Sequence, residues 1–402
     1  VKKFNLNIAT LLFIIATIPL LAGPGLPLTG RLYISLTLMA AGSWLIAHYS
    51  DSGIGRSAYR PWIILIILAS VILTTIHLPL DFIALLSPVR GSILARTVET
   101  GPFIDVTTSL SYFYPESRFY VLYGLSLFLL FYYSSALLRA EKNLKTVLWA
   151  ITLAGTAEAV LGILQASLPE ARFLTFTAAD PAEGLPVGTF GDRHLYAAFL
   201  NMCWPVSFVL GLALFKRILE KVEVLRIKNK EVTIFDRIRL AFDPLLIPLW
   251  TAPLMMAAVI LTGSGSGIII LFLLILFVRH VIPYPGPVKI IFSGAIYACL
   301  LLYGWAIGIQ GIISRSGMFF QEILARFDLW HETVVMLRDH LYTGIGLGAF
   351  PLLAPVYLSS SPDSAQGLVH NDYLELALEL GLPLFVLLSL SGSLQGWRHM
   401  PA

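Results

Sequence analysis

Charge is what this chain has least of. Only 13% of its 402 residues are Asp, Glu, Lys or Arg, against 57% hydrophobic, and the mean hydropathy is +0.80. An average soluble domain carries roughly 25% charged residues, so the composition excludes an ordinary soluble fold. The net charge of +3 is too small to mark a nucleic-acid surface. Cysteine is as scarce: Cys203 and Cys299 each lie inside an apolar run without a CxxC spacing, which excludes a disulfide framework and a thiolate metal site. The chain has no D-x-D, no adjacent acidic pair, no H-E-x-x-H and no Walker loop, so nothing in it suggests a bound divalent metal or a P-loop nucleotide. Internal repeats of fixed period and low-complexity tracts are also missing.

Long apolar runs are abundant. A hydrocarbon core of ~30 Å needs about 20 apolar residues per helix. Ten stretches qualify, at 5–22, 32–48, 62–80, 119–138, 146–166, 195–215, 244–262, 267–285, 289–310 and 373–391. They are apolar on all sides, as helices surrounded by lipid and by one another are. The expected fold is all-α: one polytopic membrane domain over 1–402 with about ten, and up to twelve, transmembrane helices joined by long outer loops, one of which carries an amphipathic helix. The first run follows Lys2 and Lys3, lacks an A-x-A cleavage box, and is expected to stay as an anchor.

With the N-terminus in the cytoplasm, alternating the ten helices leaves eighteen of the 27 Lys and Arg residues inside, eight of them in the 216–243 loop. The positive-inside rule selects that orientation. The loop reads as a topogenic signal touching anionic lipid or as a partner site. The outer side then receives three long segments, 81–118, 167–194 and 311–372. Connections beyond about 12–15 residues are usually functional or disordered, and these lack a disordered composition. In the large third loop Ile323, Phe327, Trp330, Val334, Leu337 and Leu341 recur at helical spacing. That predicts an amphipathic helix on the membrane face or over a cavity.

Residues with chemistry gather in the outer stretches. G-T-F-G-D-R-H-L-Y-A-A-F at 188–199 puts Asp192, Arg193 and His194 at the mouth of the sixth span, as interfacial anchors or as ligand-binding groups. L-T-G-S-G-S-G at 261–267 suits a tight turn between spans or a close approach to phosphate. Arg326 follows Glu322 by four residues, which fits a helix-stabilising pair of ~0.2–0.5 kcal/mol or a ligand role. G-I-G-L-G-A-F at 344–350 reads as a strand-like or turn stretch able to line a cleft, without the spacing or βαβ context of a dinucleotide loop.

H-N-D-Y-L-E-L-A-L-E-L-G-L-P at 370–383 opens the tenth span. Asp372 and Glu375 have the spacing of an N-cap and its capping-box partner. His370, just before the helix, is either an interfacial histidine or a general base that the positive end of the helix dipole keeps neutral. Glu158, Glu375 and Glu379 are intramembrane carboxylates, expected to face the interior and to hold arginines. Anionic charge on a substrate would here be met by arginine and helix ends.

Taken in order, these stretches, with R-F-D-L-W at 326–330 and T-G-I-G-L-G-A-F at 343–350, make the region of roughly 185–390 resemble the O-antigen ligase and polymerase family of bacterial membrane glycan transferases. Those enzymes have a membrane glycosyltransferase-C-like fold. The resemblance implies transfer of a glycan from an undecaprenyl-diphosphate carrier to a lipid A core or other glycan acceptor, on the periplasmic face of the inner membrane. It implies no cofactor, no metal and no nucleic acid, and the lipid bilayer as a further partner. By that likeness Arg193 and Arg326 bind the diphosphate leaving group and His370 activates the acceptor hydroxyl, while Asp192, His194, Ser264, Asn371, Arg315 and Arg338 contribute to substrate binding. The alternatives are a polymerase that extends a carrier-linked glycan and, from another class, a transporter of the lipid-linked glycan. The chain departs from the family where S-R-x-G is usual and Ser264, Gly265, Ser266 and Gly267 stand instead. Arg315, Arg338, Arg90 and Arg96 are the candidate sources of the missing charge. The usual proline before T-G-x-G is Leu341, and the second asparagine of N-x-N is His194.

Overall fold

The computed structural model of the chain describes residues 6–21, 72, 74–100, 107–167, 185–227, 244–281, 294, 324–358 and 369–397. Two compact units emerge, one of residues 1–44 and 131–317, the other of residues 45–130 and 318–402. The described residues are mostly helical, as expected. Three helices, Glu141–Ser167, Arg193–Ile218 and Pro244–Leu261, are long and apolar enough to cross a membrane, and Ile8–Thr17 and Gly265–Val281 are shorter apolar helices. The expected spans at 32–48 and 289–310 lie outside the described residues, apart from position 294, as do Arg315 and Cys299.

In the first unit, helix Arg193–Ile227 packs against Glu141–Ser167, Ile247–Leu261 and Gly265–Val281, and helix Leu6–Leu21 lies on Glu141–Ser167. Trp204, Tyr196, Leu200, Met255 and Leu271 form its fully buried centre. Lipid provides no hydrophobic drive between helices, so close van der Waals approach has to hold them together. Glycines permit it. A Cβ on Gly155 would fall 2.6 Å from the Cβ of Cys203, and one on Gly267 would fall 2.6 Å from the Cβ of Ala197. Cys203 is buried there as a packing residue. Helix Arg193–Ile227 has 35 residues, about 52 Å at 1.5 Å per residue, well beyond a ~30 Å core. Its last turns therefore run into what was expected to be a loop from 216 onward, because E-K-V-E-V-L-R is composed largely of good helix formers.

The second unit departs more from expectation. At the end of the span expected at 62–80, His77–Pro79 is a strand, antiparallel to Thr107–Ser109 with His77 opposite Ser109. Pro79 disfavours a helical Leu78. Between the strands lie two helices, Leu80–Leu86 and Pro88–Thr100. The amphipathic helix of the large loop is present over 324–339. A helix that was not expected, Phe350–Tyr357, follows the glycine run. The stretch at 373–391 is not one span. It is two helices, Asp372–Leu380 and Leu382–Trp397, broken at Gly381, whose φ of +79° lies in the left-handed region. Pro383 stands two residues on and cannot donate back into the preceding helix.

Candidate functional site

In the first unit, two buried side chains of helix Glu141–Ser167 set the start of the next helix. Glu158 and Gln165 stand two turns apart on one face. Gln165 Oε1 accepts from the amides of Val187 (3.2 Å) and Gly188 (2.9 Å), and its Nε2 donates to the Gly188 carbonyl (3.0 Å). Glu158 accepts from the Thr189 amide (3.1 Å) and the Thr189 hydroxyl (2.8 Å). Its own carbonyl accepts from the Tyr196 hydroxyl at 2.9 Å. Among the described residues Glu158 therefore holds no arginine. A carboxylate has the two acceptors that an irregular, buried segment needs for its N–H and O–H groups.

The segment so fixed delivers Asp192. Its Oδ1 accepts from the amides of His194 (2.8 Å) and Leu195 (2.7 Å), the geometry of a helix N-cap, so its carboxylate is already engaged by the backbone. Arg193 and His194 occupy the first turn, both half-buried. Seventy residues on, Ser264 opens the helix Gly265–Val281 by accepting from the Gly267 amide at 3.2 Å. The two helix starts touch through His194 Nδ1 and Ser264 Oγ, 2.9 Å apart. Arg193 Nε donates to His194 Nε2 at 3.4 Å. An Nε2 that accepts is unprotonated, so Nδ1 carries the hydrogen and donates to Ser264. The D-R-H and G-S-G stretches thus form one cluster: a guanidinium, an imidazole and the positive ends of two helices, which suits anionic oxygen.

The second unit arranges His370 differently. Asn371, not Asp372, is the N-cap of helix Asp372–Leu380, accepting from the Leu374 amide at 3.2 Å. Glu375 reaches past the cap, and its Oε2 accepts from the Val369 amide at 3.2 Å. The Val369 carbonyl accepts from Trp330 Nε1 at 3.0 Å. His370 is exposed and has a φ of +55°. The Glu379 carboxylate is buried near the amides of Gly348, Ala349 and Phe350, and its Oε1 has no hydrogen-bond partner among the described residues. Like Glu158, neither Glu375 nor Glu379 pairs with an arginine among the described residues, and Glu375 meets a backbone N–H group instead. The glycine run docks on the same helix: Ile345 N donates to Leu378 O (3.1 Å) and Gly346 N to Glu379 O (3.0 Å). These bonds occupy carbonyls that a helix end leaves open. Gly346, at φ +96°, lies against Ser111 with no room for a Cβ.

Of the arginines considered as a source of the charge missing at Gly265, Arg338 and Arg96 are exposed. Arg90 is buried and committed: its Nε donates to the Ser109 carbonyl at 2.9 Å and its guanidinium lies 4.2 Å from the centre of the Tyr112 ring. Burial pushes the Tyr112 phenol up to about 12, against the pull of Arg90. His340 stacks edge-on with Tyr112 and Tyr357, and Tyr357 donates to Asp339 Oδ2 at 3.0 Å. Burial pushes His340 below its ordinary value, Asp339 pulls it up, and Arg90 pushes it down again. The fold thus holds a neutral imidazole, whose contribution is complete above the unfolded value of about 6.5 and is lost as pH falls below it. We expect the unfolding temperature in detergent to drop between about pH 7.5 and about pH 5, and to drop less in His340→Asn. Equal drops in the two proteins would clear His340 of the effect.

The residues singled out in the sequence thus fall into two groups. Asp192, Arg193, His194 and Ser264 stand in the first unit, and Arg326, Arg338, His370 and Asn371 in the second. Arg326 is half-buried on the 324–339 helix. Sequence reasoning missed Gln165, Thr189 and Tyr112, which are spaced too far from their partners to form a readable pattern. No group of His, Cys, Asp or Glu among the described residues could hold a metal ion. Residues 250–389 match the family model described as O-antigen ligase. The matched range includes three of the four stretches and leaves out 188–199. No curated protein and no solved structure matches the chain.

Proposed function

We propose that this membrane protein, an O-antigen ligase family chain over residues 250–389, transfers a glycan from an undecaprenyl-diphosphate carrier to an acceptor hydroxyl on the periplasmic face of the bacterial inner membrane. The observation that carries the proposal is the joining of Arg193, His194 and Ser264 at two helix starts, which places a cation and two positive dipole ends together. A diphosphate leaving group is the anion that this chemistry fits. Arg193 and Arg326 bind its oxygens. His370 takes the proton as the acceptor oxygen bonds to the anomeric carbon, and the bond from that carbon to the phosphate oxygen breaks with its electron pair leaving on the diphosphate. Attack from the side opposite the leaving group inverts the anomeric centre. Lipid A core is the acceptor class that a ligase would use, and a second carrier-linked glycan the class that a polymerase would use.

The test is covalent transfer in membrane vesicles supplied with lipid-diphosphate glycan and acceptor. Arg193→Ala and Arg326→Ala are each expected to slow it about a hundredfold, a loss of about 3 kcal/mol of transition-state stabilisation. A chelator is expected to leave the rate unchanged. Wild-type rates in both variants would refute the leaving-group roles, and glycan crossing the bilayer without a new covalent bond would favour transport. Accumulated long chains on the carrier after deletion of the gene indicate a ligase, and single repeat units a polymerase.

A further inference from the structure

We infer that Trp330 and Glu375 are positioning residues that hold the backbone of His370 in its left-handed conformation, for the transfer proposed above on which this inference rests. His370 is the one non-glycine with positive φ among the described residues, at +55°. Such a conformation is unfavourable for a residue with a Cβ and persists only where the surroundings impose it. The surroundings here are specific. Val369, fully buried, has both of its polar backbone groups bound by side chains: its N–H by Glu375 Oε2 at 3.2 Å and its carbonyl by Trp330 Nε1 at 3.0 Å. On the other side Asn371 is fixed as a helix cap, and its carbonyl accepts from the Glu375 amide at 2.9 Å. Glu375 thus grips the chain on both sides of the histidine, through its carboxylate before it and its amide after it.

The arrangement leaves His370 exposed between two anchored neighbours. Asparagine tolerates this region as well. What the geometry shows is a backbone fixed from both sides of an exposed imidazole. Trp330 adds a second feature. It lies one helical turn after Arg326 on the 324–339 helix, so its indole ties the helix carrying that arginine to the peptide preceding the histidine. Its ring packs edge-on against Phe327 at 5.3 Å, which limits the orientations from which the indole N–H can donate. A catalytic base misplaced by a fraction of a bond length loses rate while the donor still binds.

The test uses the full-length protein in membranes, with lipid-diphosphate glycan as donor, and three variants. Trp330→Phe keeps the ring and removes the N–H. Glu375→Ala removes the acceptor, and Glu375→Gln keeps one. We expect Trp330→Phe and Glu375→Ala each to lower kcat about tenfold with the donor KM within about twofold, and Glu375→Gln to retain at least about half the wild-type kcat. Hydrogen exchange of the peptide covering 369–374 should quicken in the first two variants and not in the third. A lone structural role would instead move stability and KM together. Wild-type kcat in Trp330→Phe and Glu375→Ala, or equal losses in Glu375→Gln and Glu375→Ala, overturns the inference while transfer by the wild type upholds the reading beneath it. A wild type that transfers no glycan overturns both.

Discussion

Replacing His370 by alanine is expected to slow glycan transfer about a thousandfold, the middle of the range for losing a positioned general base. Because the residue is exposed, removing its imidazole opens no cavity, and the unfolding temperature is expected to stay near that of the wild type. Alanine shares the backbone strain at φ +55°, so a second substitution separates chemistry from conformation. Asparagine tolerates the left-handed region and cannot serve as the base. His370→Asn is therefore expected to be at least as stable as the wild type and as slow as His370→Ala. The measurements are initial rates of covalent transfer in vesicles and thermal unfolding in detergent on the same preparations. An asparagine variant that keeps more than about a tenth of the wild-type rate would remove His370 from the proton transfer and leave it only a binding role.

The helices that could be read from the sequence are those whose apolar runs end in recognisable punctuation. Glu141–Ser167, Ile247–Leu261 and Gly265–Val281 stand close to the stretches expected, since their termini coincide with shifts from apolar to charged or glycine-rich residues. The break at Gly381 was equally legible: glycine followed by proline two residues on is a stop signal, overridden in the reading by the apolar run continuing beyond it. The strand His77–Pro79 was not legible, because its pairing with Thr107–Ser109 depends on residues thirty positions away. The candidate site shows the same division. Arg193, His194 and Ser264 were named from local stretches, yet the meeting of His194 with Ser264 at 2.9 Å is a tertiary fact. The carboxylates were misassigned for a physical reason: membrane burial demands a partner for each, and the abundance of arginines on the outer side suggested cations. Backbone amides of irregular segments are as demanding, and they claimed Glu158 and Glu375 first.

That reassignment makes Glu158 a sharp discriminator between the enzyme and a carboxylate-coupled transporter. Glu158→Ala removes the carboxylate that accepts from the Thr189 amide and the Thr189 hydroxyl. At roughly 1.5–3 kcal/mol for each hydrogen bond to a charged group, partly offset by no longer burying a carboxylate, the expected destabilisation is about 3 kcal/mol. The damage should reach the cluster, since Thr189 lies three residues before the cap Asp192 and Gly188, at φ +57°, sits against Glu158 itself. Transfer is expected to fall with stability in that variant. Glu158→Gln behaves otherwise. Its amide oxygen accepts from the Thr189 N–H, and its NH2 donates to the Thr189 hydroxyl oxygen, which can accept as well as donate. Both contacts to Thr189 are kept, one of them with its donor and acceptor exchanged, so the glutamine variant is expected to unfold much nearer the wild-type temperature than Glu158→Ala and to transfer glycan at near the wild-type rate. A proton-coupled transporter needs a carboxyl that takes up and releases a proton, and an amide does neither. Glutamine as damaging as alanine, in an otherwise stable protein, would assign Glu158 a titrating role and return the transporter to first place.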